Sequence, residues 1–345
     1  MISFIKNNLK NQNFARISKE LCYNGCLNFI KNKGIKKQMN YAFIFPGQGS
    51  QSIGMGKDFY DNFELAKELF HLASDTLGFN MQELCFQDNE KINQTQYTQP
   101  AIFLVSYIAH SILQEESPLL AKLALGHSLG EISAVSVANG LSFEDALILT
   151  HKRGLLMQQA CEGKDAGMMV IVGLDDAKLE HFCQEQQNNG KSIWCANYNG
   201  DGQIVLAGKK ADLASVEGSL KELGAKRALL LPMSVASHCP LLSSMTEDFT
   251  KLIEPMLKEN FSLPVISNAT TNSYDNKQDA ILLLSDQLTK PVLYKQSIQK
   301  IDSQIDAYIE FGCGNVLKGL NKRLSQKNTF SITDTTSLKD FLATL

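Results

Sequence analysis

Two short apolar segments of the chain each run into a glycine-rich turn and then into a helical pattern. Tyr41–Phe45 is followed by PGQGS at 46–50, and residues 122–125 are followed by GHSLG at 126–130. Strands that alternate with helices in this way form mainly parallel sheets, because each helix returns the chain to the edge where the next strand starts. The sequence therefore predicts an α/β protein with a core around a mainly parallel sheet.

The pattern changes between residues 164 and 233, where strands and helices follow in the order βαββαβ. Strands are predicted over 167–174, 192–197, 203–207 and 227–231, and helices over 176–187 and 211–223. This order is that of the ferredoxin-like unit. We therefore expect a ferredoxin-like subdomain at 164–233, inserted into a large α/β domain formed by 39–163 and 234–345.

Residues 1–38 differ in charge from the rest of the chain. They contain eight Lys or Arg and one Glu, whereas the remainder contains 25 basic and 35 acidic residues. We interpret this segment as a dispensable basic extension that ends before Met39. An organelle transit peptide and a membrane-surface or partner helix are the alternatives. The acidic body argues against general binding of nucleic acid.

The composition also bears on membranes, metals and disulfides. No apolar run approaches the roughly 18–20 residues that a membrane-spanning helix needs. The eight cysteines lack the paired spacing of a zinc site, so no metal is predicted. We expect reduced thiols in a cytoplasmic protein.

The turn at 126–130 matches the G-x-S-x-G pattern and lies between a strand and a helix, where such a serine acts as a nucleophile. Ser128 would stand at the helix N-terminus, where the helix dipole favours developing negative charge. The amide of Leu129 is placed to bind an oxyanion. The turn at 46–50 does not fit a phosphate loop, so the amide of Gln48 is the expected second donor. A helix cap at Ser128 and a plain turn at 46–50 are the alternatives.

A serine nucleophile needs a base within hydrogen-bond reach. His238 follows a loop of small residues and is predicted to begin a helix, and such loop ends are common places for functional side chains. The other histidines lie in helical patterns or beside the nucleophile, at 71, 110, 127, 151 and 181. His238 is therefore the candidate base, with a helix cap as the alternative. No carboxylate stands out as a third member.

Arg153 falls within the apolar face of a predicted helix that begins after Ser142. The other members of that face are Ala146, Leu149, Leu156, Met157 and Ala160. A buried arginine keeps its charge and requires an anionic partner. That partner is either an internal Asp or Glu or the carboxylate of a ligand, which the planar guanidinium can hold with two hydrogen bonds. The residues alone leave both alternatives open.

Six segments, in this order, resemble the malonyl-CoA:acyl carrier protein transacylase family of bacterial type II fatty acid synthesis. They are FPGQGSQ at 45–51, TQPA at 98–101, GHSLGE at 126–131, HKRG at 151–154, SHC at 237–239 and GxGxVLxGL at 312–320. The resemblance covers about residues 40–325. It implies a hydrolase-like α/β core that carries a ferredoxin-like subdomain, with the active site between them. It also implies transfer of a malonyl group from malonyl-CoA to the phosphopantetheine thiol of acyl carrier protein through an acyl-serine.

The resemblance also implies roles for individual residues. Ser128 would be the nucleophile, His238 the base and Arg153 the ligand of the malonyl carboxylate. By the same resemblance, the main-chain carbonyl of Gln287 orients the histidine, although an unrecognised aspartate is the alternative. Gln99 and Asn199 are further candidates for substrate binding. No metal or other cofactor is implied, and we expect a monomer.

Acyl-group choice and two rival functions stay open. The triplet at 236–238 resembles that of methylmalonyl-selective modules, but free-standing malonyl enzymes share its serine. A serine esterase or thioesterase would use Ser128 and His238 but would have no reason to place Arg153 in its pocket. A non-catalytic protein that docks the carrier would need none of the three.

Overall fold

The computed structural model describes residues 39–345, so the predicted extension at 1–38 lies outside the described residues. The strands are β1 (Tyr41–Phe45), β2 (Ala121–Gly126), β3 (Ala166–Val172), β4 (Ile193–Gly200), β5 (Gln203–Lys209), β6 (Arg227–Leu230), β7 (Asn260–Ile266), β8 (Ser273–Asn276), β9 (Ala307–Phe311) and β10 (Thr329–Ile332).

The α-helices alternate with these strands along most of the chain. They are α1 (Lys57–Asn62), α2 (Glu64–Leu77), α3 (Met81–Phe86), α4 (Thr95–Glu116), α5 (Leu129–Val137), α6 (Phe143–Cys161), α7 (Asp176–Asn188), α8 (Lys210–Ser215), α9 (Glu217–Glu222), α10 (Thr246–Ile253), α11 (Lys277–Thr289), α12 (Tyr294–Ile301), α13 (Val316–Leu324) and α14 (Thr335–Leu342). Within the described residues, none is long and apolar enough to cross a membrane.

The larger sheet has six strands in the order β10-β9-β1-β2-β7-β8, and only the β7–β8 pair is antiparallel. All five residues of β1 are buried, as expected for a central strand covered by helices on both faces. The register pairs Phe45 with Gly126, so the two glycine-rich turns leave neighbouring strands at the same edge. Ligands of α/β proteins bind at this edge.

The smaller sheet is antiparallel, with the order β4-β5-β3-β6. Together with α7, α8 and α9 it forms the predicted βαββαβ unit, so the predicted fold class is confirmed. The prediction of one helix over 211–223 was wrong. The chain forms two short helices because Val216 turns into the subdomain core, and its amide bonds to the Leu213 carbonyl instead of continuing an α-helix. The domain boundaries themselves stay a prediction.

The smaller sheet is attached to the larger domain through its edge strand β4. The amide of Val292 donates to the Ala196 carbonyl at 2.8 Å, and the amide of Tyr198 donates to the Val292 carbonyl at 2.9 Å. Lys295, just inside α12, forms ion pairs with Asp176 and Asp201. The subdomain is thereby held against the segment that follows α11.

A proline within α4 helps to join that helix to α6. Pro100 has no N–H, so the carbonyl of Gln96 loses its usual partner four residues later. That carbonyl lies 2.8 Å from Nδ1 of His151 on α6, which donates a hydrogen bond to it. The two helices are therefore joined within one turn of Gln99 and Arg153.

The C-terminal tail completes the larger sheet. β10 pairs in parallel with β9, and α14 begins with a capping box between Asp334 and Ser337. Both elements lie beyond residue 325, where the family resemblance ends.

Candidate active site

Ser128 lies in a strained turn between β2 and α5. Its φ of 54° and ψ of −107° fall outside the regions that a non-glycine residue usually adopts. The turn requires glycine on both sides, because a Cβ on Gly126 would overlap the backbone of Gly130, and one on Gly130 would overlap the carbonyl of Phe45. Asn268 stabilises the turn by accepting from the Ser128 amide and donating to the Gly126 carbonyl, both at 2.7 Å. Such strain, held by the surrounding structure, is typical of functional positions.

His238 contacts the nucleophile directly. Its Nε2 lies 2.7 Å from Ser128 Oγ, and its Nδ1 lies 2.7 Å from the carbonyl oxygen of Gln287. Gln287 is in the last turn of α11, where its carbonyl would normally bond to the amide four residues later. That residue is Pro291, which has no N–H, so the carbonyl is available to the imidazole.

His238 does not begin a helix, contrary to prediction. It has a φ of 60°, and a 3-10 helix starts two residues later, at Pro240–Met245. The reason lies in Pro240, which favours the first helical position and forces Cys239 into an extended conformation. His238 thus precedes the helix and is free to turn towards Ser128.

The imidazole of His238 is neutral in this environment. It is 2% exposed, and burial together with the charge of Arg153 lowers its pKa from 6.5 to about 3, partly offset by the Gln287 carbonyl. The Nδ1 proton then points to that carbonyl, and the lone pair of Nε2 faces the hydroxyl of Ser128. This is the protonation state that a general base requires.

The guanidinium of Arg153 is buried among neutral groups. Its Nη1 donates to Gln99 Oε1 and its Nη2 to Gln287 Oε1, both at 2.9 Å, and Nη2 is 3.3 Å from Ser128 Oγ. The side chain is 1% exposed, and its Nε has no partner in the described part of the chain. Burial lowers the pKa of Arg153 to about 10, so it stays charged at neutral pH.

The contacts of Arg153 bear on the alternatives left open by the sequence. No carboxylate of residues 39–345 forms an ion pair with it, and two amide oxygens take the place of an internal Asp or Glu. Gln99 presents its oxygen because its Nε2 donates to the sulfur of Met157 at 3.2 Å. A buried cation with a free donor beside a nucleophile is suited to binding an anionic substrate.

The two predicted oxyanion donors lie on neighbouring turns. Within the described residues, neither the amide of Gln48 nor that of Leu129 has an acceptor. Leu129 is the first residue of α5, so its amide points out of the helix N-terminus. Both amides are therefore free to bind an oxygen at the carboxyl ends of β1 and β2.

Asn199 lies on β4 of the smaller sheet and contacts His127 in the turn that holds Ser128. Its Oδ1 is 2.7 Å from Nε2 of His127, so the ring of His127 is bonded to the subdomain and not to Ser128. The amide nitrogen of Asn199 has no acceptor among the described side chains and carbonyls. It is therefore available to a ligand.

Sequence reasoning missed two residues behind the site, Glu131 and Asn268. Glu131 is fully buried and accepts hydrogen bonds from Tyr274 Oη at 2.8 Å, the Asn268 amide at 3.0 Å and Gln287 Nε2 at 2.7 Å. The signal for Glu131 was its position as the only charged residue in α5. No comparable signal marked Asn268, which depends on the unpredicted pairing of β7 with β2.

This arrangement provides the groups needed for acyl transfer. A hydroxyl, a neutral base, two free amides and a buried cation allow attack on an acyl carbonyl whose acyl group also carries a carboxylate. Among residues 39–345 there is no cluster of His, Cys, Asp and Glu that could hold a metal ion.

Residues 42–329 match the acyl transferase domain family. A malonyl CoA-acyl carrier protein transacylase of Salmonella typhimurium is 37% identical over 296 residues, which cover 84% of this chain and 94% of the relative. A protein of the same description from Bacillus subtilis is 35% identical over 307 residues, covering 88% of this chain and 96% of the relative.

Two solved structures share the fold over nearly their whole length. The malonyl-CoA:acyl carrier protein transacylase of Helicobacter pylori is 51% identical, with a TM-score of 0.87, and covers 89% of this chain and 98% of its own. A malonyl-transacylase in complex with its type II PKS acyl-carrier protein is 34% identical, with a TM-score of 0.86, and covers 89% of this chain and 100% of its own.

Proposed function

This chain belongs to the acyl transferase domain family and, within it, to the malonyl CoA-acyl carrier protein transacylases, and we propose on that basis that it transfers a malonyl group from malonyl-CoA to the phosphopantetheine thiol of an acyl carrier protein. The reaction is a ping-pong exchange through a malonyl ester of Ser128.

In the first half-reaction, Ser128 gives its proton to Nε2 of His238 while Oγ attacks the thioester carbonyl. The amides of Gln48 and Leu129 stabilise the oxyanion, because they donate hydrogen bonds to charge that develops in the transition state. The carbon–sulfur bond then breaks, and the leaving thiolate of coenzyme A takes the proton from the imidazolium. The products are free coenzyme A and the malonyl-serine.

In the second half-reaction, the phosphopantetheine thiol of the carrier replaces coenzyme A. Its proton passes to His238, its sulfur attacks the serine ester, and the carbon–oxygen bond breaks as Ser128 is reprotonated. Nucleophile, base and oxyanion donors all come from the chain, so the reaction requires no metal or redox cofactor. We further propose that the enzyme works as a monomer in the cytoplasm.

The observation that carries this proposal is the buried charge of Arg153. The guanidinium lies beside the nucleophile, stays charged at neutral pH and contacts no carboxylate of the described chain. The carboxylate of a malonyl group on Ser128 would be an anion in direct contact with the guanidinium. A general esterase or thioesterase gains nothing from such a cation, and a protein that only docks the carrier has no use for the paired serine and histidine.

Intact-mass measurement tests the proposal. The protein is mixed with malonyl-, methylmalonyl- or acetyl-CoA, and holo carrier protein is then added. We expect a malonyl adduct on the wild type, none on Ser128→Ala, and movement of the adduct to the carrier. Release of free malonate at a rate that the carrier does not change would support the esterase alternative, and absence of any adduct would support the docking protein.

A further inference from the structure

Two buried groups of opposite charge lie on either side of one amide. Gln287 Oε1 accepts from Arg153 Nη2 at 2.9 Å, and Gln287 Nε2 donates to Glu131 Oε2 at 2.7 Å. Arg153 is 1% exposed and Glu131 is 0% exposed. The mechanism proposed above gives no task to Glu131, although burial of a carboxylate is costly unless something compensates it.

We propose that Glu131 is the internal counter-charge of Arg153 and, acting through the side chain of Gln287, a positioning residue for the malonyl site. The inference rests on the proposed function in one respect, namely that the ligand of Arg153 is the malonyl carboxylate. Glu131 lies behind Gln287 and does not touch the substrate.

The orientation of the bridging amide supports this role. Its oxygen points to the cation and its nitrogen to the anion, which is the favourable direction of the amide dipole between the two charges. Nε2 also donates to the Ser128 carbonyl at 3.0 Å, so two acceptors hold the amide in this orientation. Without Glu131, the orientation in which the amide oxygen faces Arg153 would lose one of the two stabilising hydrogen bonds that the amide nitrogen donates.

An indirect pair has an advantage that a direct one lacks. A carboxylate in contact with Arg153 would occupy the donors that the substrate needs and would repel the malonyl carboxylate. Placing the counter-charge one residue further away compensates the buried cation in the free enzyme and leaves Nε unpartnered among the described residues.

The other groups around Glu131 are neutral hydrogen-bond donors. They are the hydroxyl of Tyr274 on β8 and the amide of Asn268 after β7, and Arg153 on α6 is the cation that acts on it. Burial raises the pKa of Glu131, and the three hydrogen bonds and Arg153 offset only part of this effect. The resulting pKa is about 7. At pH 8 and above the carboxyl group of Glu131 is therefore mainly ionised. The effect of its charge should be measured in that pH range.

A double-mutant cycle on the full chain at pH 8.5 tests the coupling. Glu131→Gln removes the charge, keeps an oxygen for Asn268 and Gln287, and can donate its nitrogen to the Tyr274 oxygen. Alone it should lower the melting temperature by about 5 °C or more, because it leaves a buried cation uncompensated. In the Arg153→Met background, Glu131→Gln should leave the melting temperature unchanged or raise it. Without Arg153, the uncompensated buried charge is that of Glu131, and the substitution removes it.

The control is Tyr274→Phe, which removes one hydrogen bond to Glu131 but keeps its charge. It should lower the melting temperature by the same amount with Arg153 present and in the Arg153→Met background. If Glu131→Gln alone does not fold, recovery of folded protein in the variant that combines it with Arg153→Met would equally support the proposal. Equal losses in the two backgrounds would overturn the proposal, because Glu131 would then serve only the hydrogen bonds of its neighbours.

A kinetic readout separates positioning from stability. With Glu131 neutral, the malonyl carboxylate becomes the only anion near Arg153, so the malonyl-CoA concentration that half-saturates acylation should fall about threefold or more. The value for acetyl-CoA, which has no carboxylate, should not change. The proposal is contradicted if Glu131→Gln changes the half-saturating concentration of malonyl-CoA no more than it changes that of acetyl-CoA. Failure of the proposed function is distinct from this, because the wild type would then either form no malonyl-serine or release free malonate at a rate that the carrier does not change.

Discussion

The carbonyl oxygen of Gln287 accepts the Nδ1 proton of His238 at 2.7 Å, and Pro291 makes this possible by leaving that carbonyl without a helical partner. A main-chain group thus fixes the tautomer of the base. A neutral carbonyl stabilises an imidazolium less than a carboxylate does, and the nearby charge of Arg153 opposes it further. The imidazole is therefore a base that stays unprotonated well below neutral pH.

This environment predicts an unusually flat pH profile for acetyl-serine formation. The folded pKa of His238 is lowered from 6.5 to about 3, so the reactive neutral form persists as the pH falls from 8 to 5.5. Single-turnover rates with acetyl-CoA should change less than about threefold over that range. Acetyl-CoA is used because titration of Glu131 would affect malonyl-CoA through Arg153. A decline with a midpoint near 6.5 would show that the histidine is solvated.

Arg153→Ala should separate malonyl from acetyl transfer. Hydrogen bonds to a charged group contribute roughly 1.5–3 kcal/mol, so the malonyl rate should fall by about 10- to 150-fold. Acetyl transfer should be unchanged or faster, because the pocket becomes more apolar. Lys152→Ala, which changes the exposed neighbour on α6, is the matched control and should affect neither. Equal losses for the two substrates, with reduced stability, would assign Arg153 to the fold alone.

Gln99→Glu should give Arg153 an internal ion-pair partner. The new carboxylate would replace the amide oxygen that now lies 2.9 Å from Nη1 of Arg153, and would compete with the malonyl carboxylate for the guanidinium. We expect malonyl-serine formation to fall at least about tenfold and acetyl-serine formation to change less than about threefold. Gln99→Met removes the same hydrogen bond without adding charge, and should have the smaller effect. Similar losses in both variants would contradict competition by charge.

A chain that starts at Met39 should fold and transfer acyl groups as the full chain does. Both sheets and every proposed site residue lie within 39–345, and the start of this range is tied down by a hydrogen bond of 2.8 Å from the Asn40 amide to Asp306. The two forms are compared by melting temperature and by malonyl-serine formation. A loss of more than about 5 °C on truncation would mean that the extension packs on the body.

The parts of the fold that follow local patterns could be predicted from the sequence. β1 has the predicted bounds, and the turn at 126–130 has the predicted strand before it and helix after it. The nucleophile named from sequence also lies beside the other two predicted residues, since Ser128 is within hydrogen-bond distance of both His238 and Arg153.

Other features depend on contacts between distant segments, and local patterns do not reveal them. Asn268 reaches the Ser128 amide only because β7 pairs with β2, and no motif near residue 268 announces it. Glu131 was visible as an isolated acid in α5, but its partners come from β8, α11 and the loop after β7. The contact of His238 with Gln287 likewise joins segments that are 49 residues apart in the sequence.

The order of strands in the larger sheet also determines when this protein can become reactive during its synthesis. β1 is made early, but one of its two neighbours, β9, is among the last strands to be translated, so the central pairing must wait for most of the chain. Such distant pairings form slowly and leave apolar strands exposed in the meantime. Ser128 leaves the ribosome before His238 and Gln287. A nascent chain that ends before residue 238 therefore carries the serine motif without its base, and one that ends before residue 287 lacks the carbonyl that orients the base.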